Sequence, residues 1–275
     1  MTAVIVRNLE VHLAHTCNLA CESCSHYSNF KHGGLLDKSE FETSLQNWHK
    51  RIEPRQFSLL GGEPTVHPEL SDFLHLSRTY WPKSHLRLVT NGFFLHRHPG
   101  LPKAMADVKN SALYLSIHHA SAEYQAKLEP VYQLLKAWVR DYGTQVHVYH
   151  SYKNWTRRYH SANGIFEPYQ DNEPRKSWEI CPAKYCPQLF NDKIWKCAPL
   201  AYLELQNQKL TLSKNWDPYL KYQALEVSCS DSELSAFFQR EDEAFCAMCP
   251  SKIEPLQLRP PFHSSVKSDV TTNFS

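Results

Sequence analysis

Three thiols crowd into eight residues near the start of the chain, Cys17-Asn18-Leu19-Ala20-Cys21-Glu22-Ser23-Cys24, directly after the apolar run Leu9 to Leu13. Thiolates are soft ligands. Three on one loop hold three corners of a [4Fe-4S] cluster and leave one iron with an open position, whereas a closed structural site asks for a fourth ligand. Zinc bound by the same thiols plus His26 is the plainer alternative. Two more motifs sit at the ends of apolar runs: Gly61-Gly62-Glu63-Pro64 after Gln56 to Leu60, and Thr90-Asn91-Gly92 closing the run from His85. Adjacent glycines let backbone groups approach a ligand with no Cβ in the way, and Glu63 adds a carboxylate able to bind an ammonium.

Five more cysteines form a second set, Cys181, Cys186 and Cys197 followed by the Cys246-x2-Cys249 pair. The segment Met1 to Val6 has neither a basic region nor an apolar stretch of signal-peptide length, so a cytoplasmic, reducing compartment is expected. There, an odd count of nine clustered cysteines points to metal ligands rather than disulfides. Cys229 stands outside both sets. It reads as an inert buried thiol, or more sharply as a hydrogen-atom donor facing a substrate pocket.

The elements that must position these groups are legible over the first 150 residues or so. Leu9 to Leu13, Gln56 to Leu60, His85 to Thr90, Ala112 to His118 and Gln145 to Tyr149 read as strands. Phe41, Leu45, Trp48 and Ile52, behind a possible Asp37 cap, and Tyr124, Leu128, Val131, Leu135 and Trp138 recur at helical spacing. Such alternation is the sign of βα units and a parallel sheet, which binds ligands at the strands' C-terminal edge. From Ser151 the pattern breaks, and Asn154 to Ser177 shows no periodicity. The expected division is a core over 1–155, extending to about 178, a cysteine-bearing unit over 179–255 with a helix from Asp231 to Glu243, and a polar tail over 256–275.

Composition narrows the functional classes. With 42% hydrophobic and 21% charged residues the chain is globular, and its net charge of +2 with no basic run of five gives no nucleic-acid footprint. No apolar run approaches the roughly 18 residues of a membrane span.

In their order, CxxxCxxC, GGEP and TNG resemble the radical S-adenosylmethionine (SAM) superfamily over roughly residues 9 to 150. The resemblance implies an α/β fold, a partial (β/α)6 TIM-like barrel with a small C-terminal α+β iron-sulfur domain. It implies a [4Fe-4S] cluster on Cys17, Cys21 and Cys24 whose open iron binds SAM, and a methionine ammonium held by Gly61, Gly62 and Glu63 beside Pro64. Thr90, Asn91 and Ser116 would line the cofactor, and Lys127 would reach its carboxylate. The family's aromatic residue before the third cysteine is Ser23 here, so Tyr27 or Phe30 would pack the adenine.

The second cysteine set resembles the twitch domain, the shortened relative of SPASM, which holds an auxiliary [4Fe-4S] cluster. Cys197, Cys246 and Cys249 would be joined by Cys186 or Cys181, with Asp192 where a glycine is usual. The implied chemistry is reductive SAM cleavage, fed by an electron donor such as flavodoxin or ferredoxin, to a 5'-deoxyadenosyl radical that abstracts hydrogen from a substrate carbon.

Cys24-Ser25-His26-Tyr27-Ser28 also resembles a subgroup found beside polysaccharide-building enzymes, and His26 is placed to contact substrate or tune the cluster. The first strand starts near residue 9, which is expected to leave no room for a leader-peptide domain. A small-molecule substrate, a sugar or polyol to be oxidised or epimerised, is therefore expected. The alternatives are peptide modification with a separate leader-binding partner and a non-catalytic iron-sulfur or zinc protein.

Overall fold

The computed structural model describes residues 3–162 and 165–256. Strands and helices alternate through the first half: β1 (Val4–Ala14), α1 (Lys38–Trp48), β2 (Ile52–Gly61), α2 (Leu70–Tyr80), β3 (His85–Thr90), α3 (Leu101–Val108), β4 (Ser111–Ile117), α4 (Ala122–Tyr142) and β5 (Val146–His150). These five strands pair in parallel, side by side in chain order, so their C-terminal ends share one edge. Parallel neighbours need a crossover, and each helix supplies one.

The packing follows from side-chain alternation. Leu9, Val11 and Leu13 of β1 and Leu86 and Leu88 of β3 are buried in one core with Phe41, Leu45 and Trp48 of α1 and the Tyr124-to-Trp138 stripe of α4. Each such aliphatic or aromatic side chain contributes about 1.5–3 kcal/mol on burial. Asp37 caps α1 as its position promised, accepting from the Ser39 and Glu40 amides at 2.8 and 3.1 Å. Ile52, grouped with the α1 stripe by spacing, instead opens β2: the helix ends at Trp48, and Ile52 pairs with Val4. That pairing also carries β1 further toward the N-terminus than the run Leu9 to Leu13.

The second half holds a short antiparallel pair, β6 (His160–Ala162) and β7 (Ile165–Glu167), then α5 (Pro174–Glu179), β8 (Gln188–Phe190), β9 (Lys193–Trp195), α6 (Ala198–Ala201), α7 (Leu203–Lys209), α8 (Asp217–Leu220) and α9 (Asp231–Gln239). The helix expected to reach Glu243 stops at Gln239, and Ala244–Met248 forms a 3-10 turn. β8 pairs in parallel with β1, Glu10 opposite Gln188, and β9 returns antiparallel. The result is one mostly parallel seven-stranded sheet, β5-β4-β3-β2-β1-β8-β9, in which the sixth parallel strand lies beside β1 rather than following β5.

Asn191 and Asp192 make the two-residue turn of the β8–β9 hairpin, both left-handed at φ 53 and 56. That is the primed-turn geometry, which Asn and Asp tolerate without glycine. The Asp192 carboxylate also accepts from Asn47 at 2.7 Å, fixing the hairpin to α1. A second apolar cluster gathers Tyr27, Tyr159, Phe166, Tyr202, Trp216 and Met248. Apart from Leu256, the expected tail lies outside the described residues. Among the described residues no helix is long and apolar enough to cross a membrane.

Candidate functional site

The loops that follow β1, β2 and β3 meet at the sheet's C-terminal edge, and backbone contact sets how closely. Gly62 N donates to Ala14 O and Glu63 N to Thr16 O at 2.8 and 2.9 Å. A Cβ on Gly61 would stand 2.4 Å from Ala14 O, and one on Gly62 2.2 Å from Thr16 O. The double glycine therefore admits the cysteine loop itself. Gly62→Ala is expected to displace Thr16 and Cys17 and to cost at least half of the iron bound per chain. Gly33→Ala, where nothing lies within 4 Å, should leave iron content unchanged, and an iron assay checks both.

Glu63 is buried and ties the three loops together. Its Oε1 accepts from Thr65 N, Thr65 Oγ1 and Thr90 Oγ1, and its Oε2 accepts from Asn91 N at 2.8 Å. Burial raises its pKa, and the donors on Thr65, Thr90 and Asn91 oppose that rise. Oε2 keeps a lone pair beyond this set, so the carboxylate can still receive one external donor. Asn91 continues the network: its Nδ2 donates to Asn18 Oδ1 at 2.7 Å and lies 3.9 Å from Cys17 Sγ. Pro64 follows Glu63 as the first residue of a 3-10 turn.

The N-terminal thiols fit a soft metal core. Burial pushes Cys17, Cys21 and Cys24 up, and their mutual repulsion as thiolates adds to the rise at Cys17 and Cys21. At Cys24 the backbone amides of His26, Ser28, Asn29 and Tyr27 oppose it. A cationic core cancels the repulsion and takes the thiols in their deprotonated form. His26, which a zinc shell would need, stacks on His12 at 4.7 Å between centroids, and its Nδ1 meets His12 Nε2. Among the described residues, no three His, Cys, Asp or Glu side chains are grouped to hold a single metal ion.

The stretch without periodicity clasps this loop. Trp155 Nε1 donates to Glu22 O at 2.7 Å, Arg158 N donates to Ser23 Oγ at 2.7 Å, and the Tyr159 hydroxyl bonds the Asn29 amide. Ser23 replaces an aromatic residue but serves as that backbone anchor, and Trp155 packs edge-on to His118, 5.6 Å between centroids. The same stretch holds the C-terminal CxxC. Arg157 N donates to Glu254 O, Tyr169 N to Met248 O, and Ser177 Oγ to Cys249 O. Trp155, Arg158 and Ser177 were missed in the sequence because irregular backbone leaves no period to read.

Cys181, Cys197, Cys246 and Cys249 line one small apolar cleft. Their charges bear on one another: Cys197 feels Cys249, Cys181 and Cys246. Burial pushes Cys249 up to about 12, with the Arg158 guanidinium as the largest opposing influence. Cys186, left open against Cys181, does not line that cleft: burial raises its pKa, and the Glu10 carboxylate of β1 and the Cys181 thiolate add to the rise.

Several expected site residues lie elsewhere. Tyr27 is 1% exposed and packs on Tyr159 and Phe166, so its ring belongs to the second apolar cluster, with Phe30 against it. Lys127 pairs with Glu123 one turn earlier on α4, at 2.8 Å and half exposed, which spends its charge on the helix surface. Cys229 is held by Arg51, beside the start of β2, through contacts to its Sγ and carbonyl. The ten residues of β2 span about 30 Å, which puts Cys229 at the opposite end of the sheet from the cysteine loop. Ser116 lies in β4 near the C-terminal edge, bonded to Ser151 Oγ.

A family model described as the radical SAM superfamily matches residues 11–161. Over 91 residues the chain is 31% identical to GTP 3',8-cyclase of Microcystis aeruginosa, covering 32% of this chain and 28% of that protein. Over 118 residues it is 30% identical to 7,8-dihydro-6-hydroxymethylpterin dimethyltransferase of Methanocaldococcus jannaschii, 42% of this chain and 22% of that one. The chain thus spans about a quarter of the length of these relatives. Among solved structures, BtrN in complex with AdoMet and 2-DOIA is similar at a TM-score of 0.48 and 16% identity, over 90% of this chain and 94% of BtrN. Streptococcus suis SuiB bound to precursor peptide SuiA is similar at 0.43 and 18%, over 54% of this chain and 35% of SuiB.

Proposed function

Because this chain belongs to the radical SAM superfamily, we propose that it cleaves SAM at the Cys17-Cys21-Cys24 loop and oxidises a small polar substrate, sugar- or polyol-like, held over the inner face of the sheet. When bound, the loop's [4Fe-4S] cluster supplies one electron to the SAM sulfonium, generating a hydrogen-abstracting radical, and a second cluster at Cys181, Cys197, Cys246 and Cys249 supplies an electron acceptor. The network centred on Glu63 carries this reading, since it draws the three motif loops onto one strand edge around a carboxylate with capacity for one more donor. The chain's own residues hold the methionine end there, through Glu63 Oε2 and the peptide groups beside Gly61 and Gly62. Trp155 stands against the loop where an adenine could stack.

The polar substrate is supported by the inner strand faces. Where Leu9, Val11 and Leu13 meet the helices, the alternate positions of β1 are Asn8, Glu10 and His12, all buried. Ser58 Oγ bonds Asn8 Oδ1 at 3.0 Å, Gln188 Nε2 bonds Glu10 Oε2 at 2.8 Å, and Arg87 bonds Gln56 at 3.3 Å over the Tyr114 ring. A hydroxyl-rich molecule finds polar partners along this face, among them the buried Arg87 Nε, which has no hydrogen-bond partner among the described residues. Oxidation is preferred to epimerisation because Cys229, the candidate hydrogen donor, sits at the far end of the sheet. The reductant would be a small electron carrier of the flavodoxin or ferredoxin kind, in a cytoplasmic setting.

Anaerobic reconstitution with iron and sulfide, then dithionite and SAM, is expected to yield 5'-deoxyadenosine, and its absence would refute the reading. Sugars and cyclitols tested as a panel should raise that yield at least tenfold for one class. If a short peptide alone does so, the polyol assignment falls. Trp155→Ala should weaken SAM binding about tenfold by equilibrium dialysis, since base–aromatic stacking is worth about 1–3 kcal/mol.

A further inference from the structure

Arg158 is 7% exposed, and its NH2 nitrogen is fully buried without a hydrogen-bond partner. Among the described residues no carboxylate pairs with it. Trp178 is 6% exposed, and its Nε1 is likewise buried and unpartnered. Both side chains line the cleft of Cys181, Cys197, Cys246 and Cys249. Lys196, the other basic residue that is largely buried there, differs: its ammonium donates to Arg240 O at 2.7 Å and lies 3.8 Å from the Glu243 carboxylate.

A buried cation without an anion is among the costliest arrangements a fold can hold, and a buried N–H without an acceptor forfeits the hydrogen bond it made to water. Here the two unsatisfied donors converge on four thiols, and the guanidinium, hydrogen-bonded to the Cys249 side chain, meets no carboxylate among the described residues. The missing partner is therefore an anionic, sulfur-rich guest with several weak acceptors. A thiolate-ligated iron-sulfur core has that character, and its reduction potential follows local charge and hydrogen bonds to its sulfurs.

Resting on the reading of the four thiols as an auxiliary cluster site, we propose that Arg158 and Trp178 are positioning residues that donate N–H groups to that cluster and raise its reduction potential. Reduction adds negative charge to the core, so a nearby guanidinium and N–H dipoles favour the reduced form. Arg158 also fixes the distance to the first site. Its backbone N–H bonds Ser23 Oγ, one residue before Cys24, while its guanidinium stands beside Cys249. One residue thus links the first cysteine loop to the second cysteine set.

The test is a redox titration of the reconstituted full-length protein followed by electron paramagnetic resonance, with iron, sulfide and zinc measured on the same samples. Wild type is expected to carry two clusters. In R158Q and in W178F the potential of one cluster should fall while that of the SAM-binding cluster stays put, and R158K, which keeps the charge, should recover most of the R158Q shift. If both clusters are present and neither potential moves in R158Q and W178F, the proposal is overturned while the auxiliary cluster stands. If R158Q fails to load its second cluster, a lowered potential in W178F supports the proposal and a wild-type potential there overturns it. One cluster per chain in wild type, with or without zinc, overturns the auxiliary-cluster reading and this inference with it.

Discussion

Replacing Cys21 by Ala is expected to reduce 5'-deoxyadenosine formation to the enzyme-free background while leaving about half of the bound iron in place. Cys21 is the middle thiol of the trio, repelled as a thiolate by both Cys24 and Cys17. Two remaining thiols cannot hold three corners of a cubane, and the position that meets the sulfonium exists only while three protein ligands are in place. The second set lies on other segments, Cys197 at the head of α6 and Cys246 and Cys249 around the final 3-10 turn, so with the proposed auxiliary cluster in place about four of eight irons should survive. Iron quantification beside the cleavage assay separates loss of one cluster from global unfolding. Cleavage at wild-type rate in Cys21→Ala would remove the trio from the chemistry altogether.

Replacing Cys249 by Ala should give the complementary pattern: SAM cleavage persists without coupling to substrate, product formation ceases, and iron falls by about half. Cys249 shares its cleft with Cys181, Cys197 and Cys246, and Cys186 does not line it. Cys181→Ala should therefore behave like Cys249→Ala, whereas Cys186→Ala should keep its full iron complement, since that thiol rests against Glu10. Normal product formation by Cys249→Ala would discard the auxiliary role. An iron loss in Cys186→Ala and not in Cys181→Ala would reverse the ligand assignment.

The two substitutions together test why the irregular stretch from Trp155 to Ser177 matters. It bonds Glu22 and Ser23 at one end and Met248 and Cys249 at the other, and so sets the separation of the two thiol groups. None of this was legible in the sequence, because its bonds run from backbone, hydroxyl and indole donors to residues more than 70 positions away. The same limit explains Tyr27 and Lys127. Each had a suitable type and a plausible place, but burial in the aromatic cluster beside the cysteine loop claimed one and an ion pair on α4 claimed the other.

Local rules carried the rest. Short runs of β-branched and bulky apolar residues marked the parallel strands, helical spacing marked α1 and α4, and the order of thiol, glycine and Thr-Asn-Gly motifs located the site's edge, because these properties belong to the chain within a few residues. The order of contacts between distant segments was a different matter. That β8 would lie beside β1, that Cys181 rather than Cys186 would join the quartet, that Cys229 would end at the far side of the sheet, and that Arg158 would be left buried without a carboxylate were decided only by tertiary packing. Spacing along a chain fixes which residue types are available, whereas burial and pairing across it fix which of them meet, since the free energy of a buried group depends on neighbours that arrive from elsewhere.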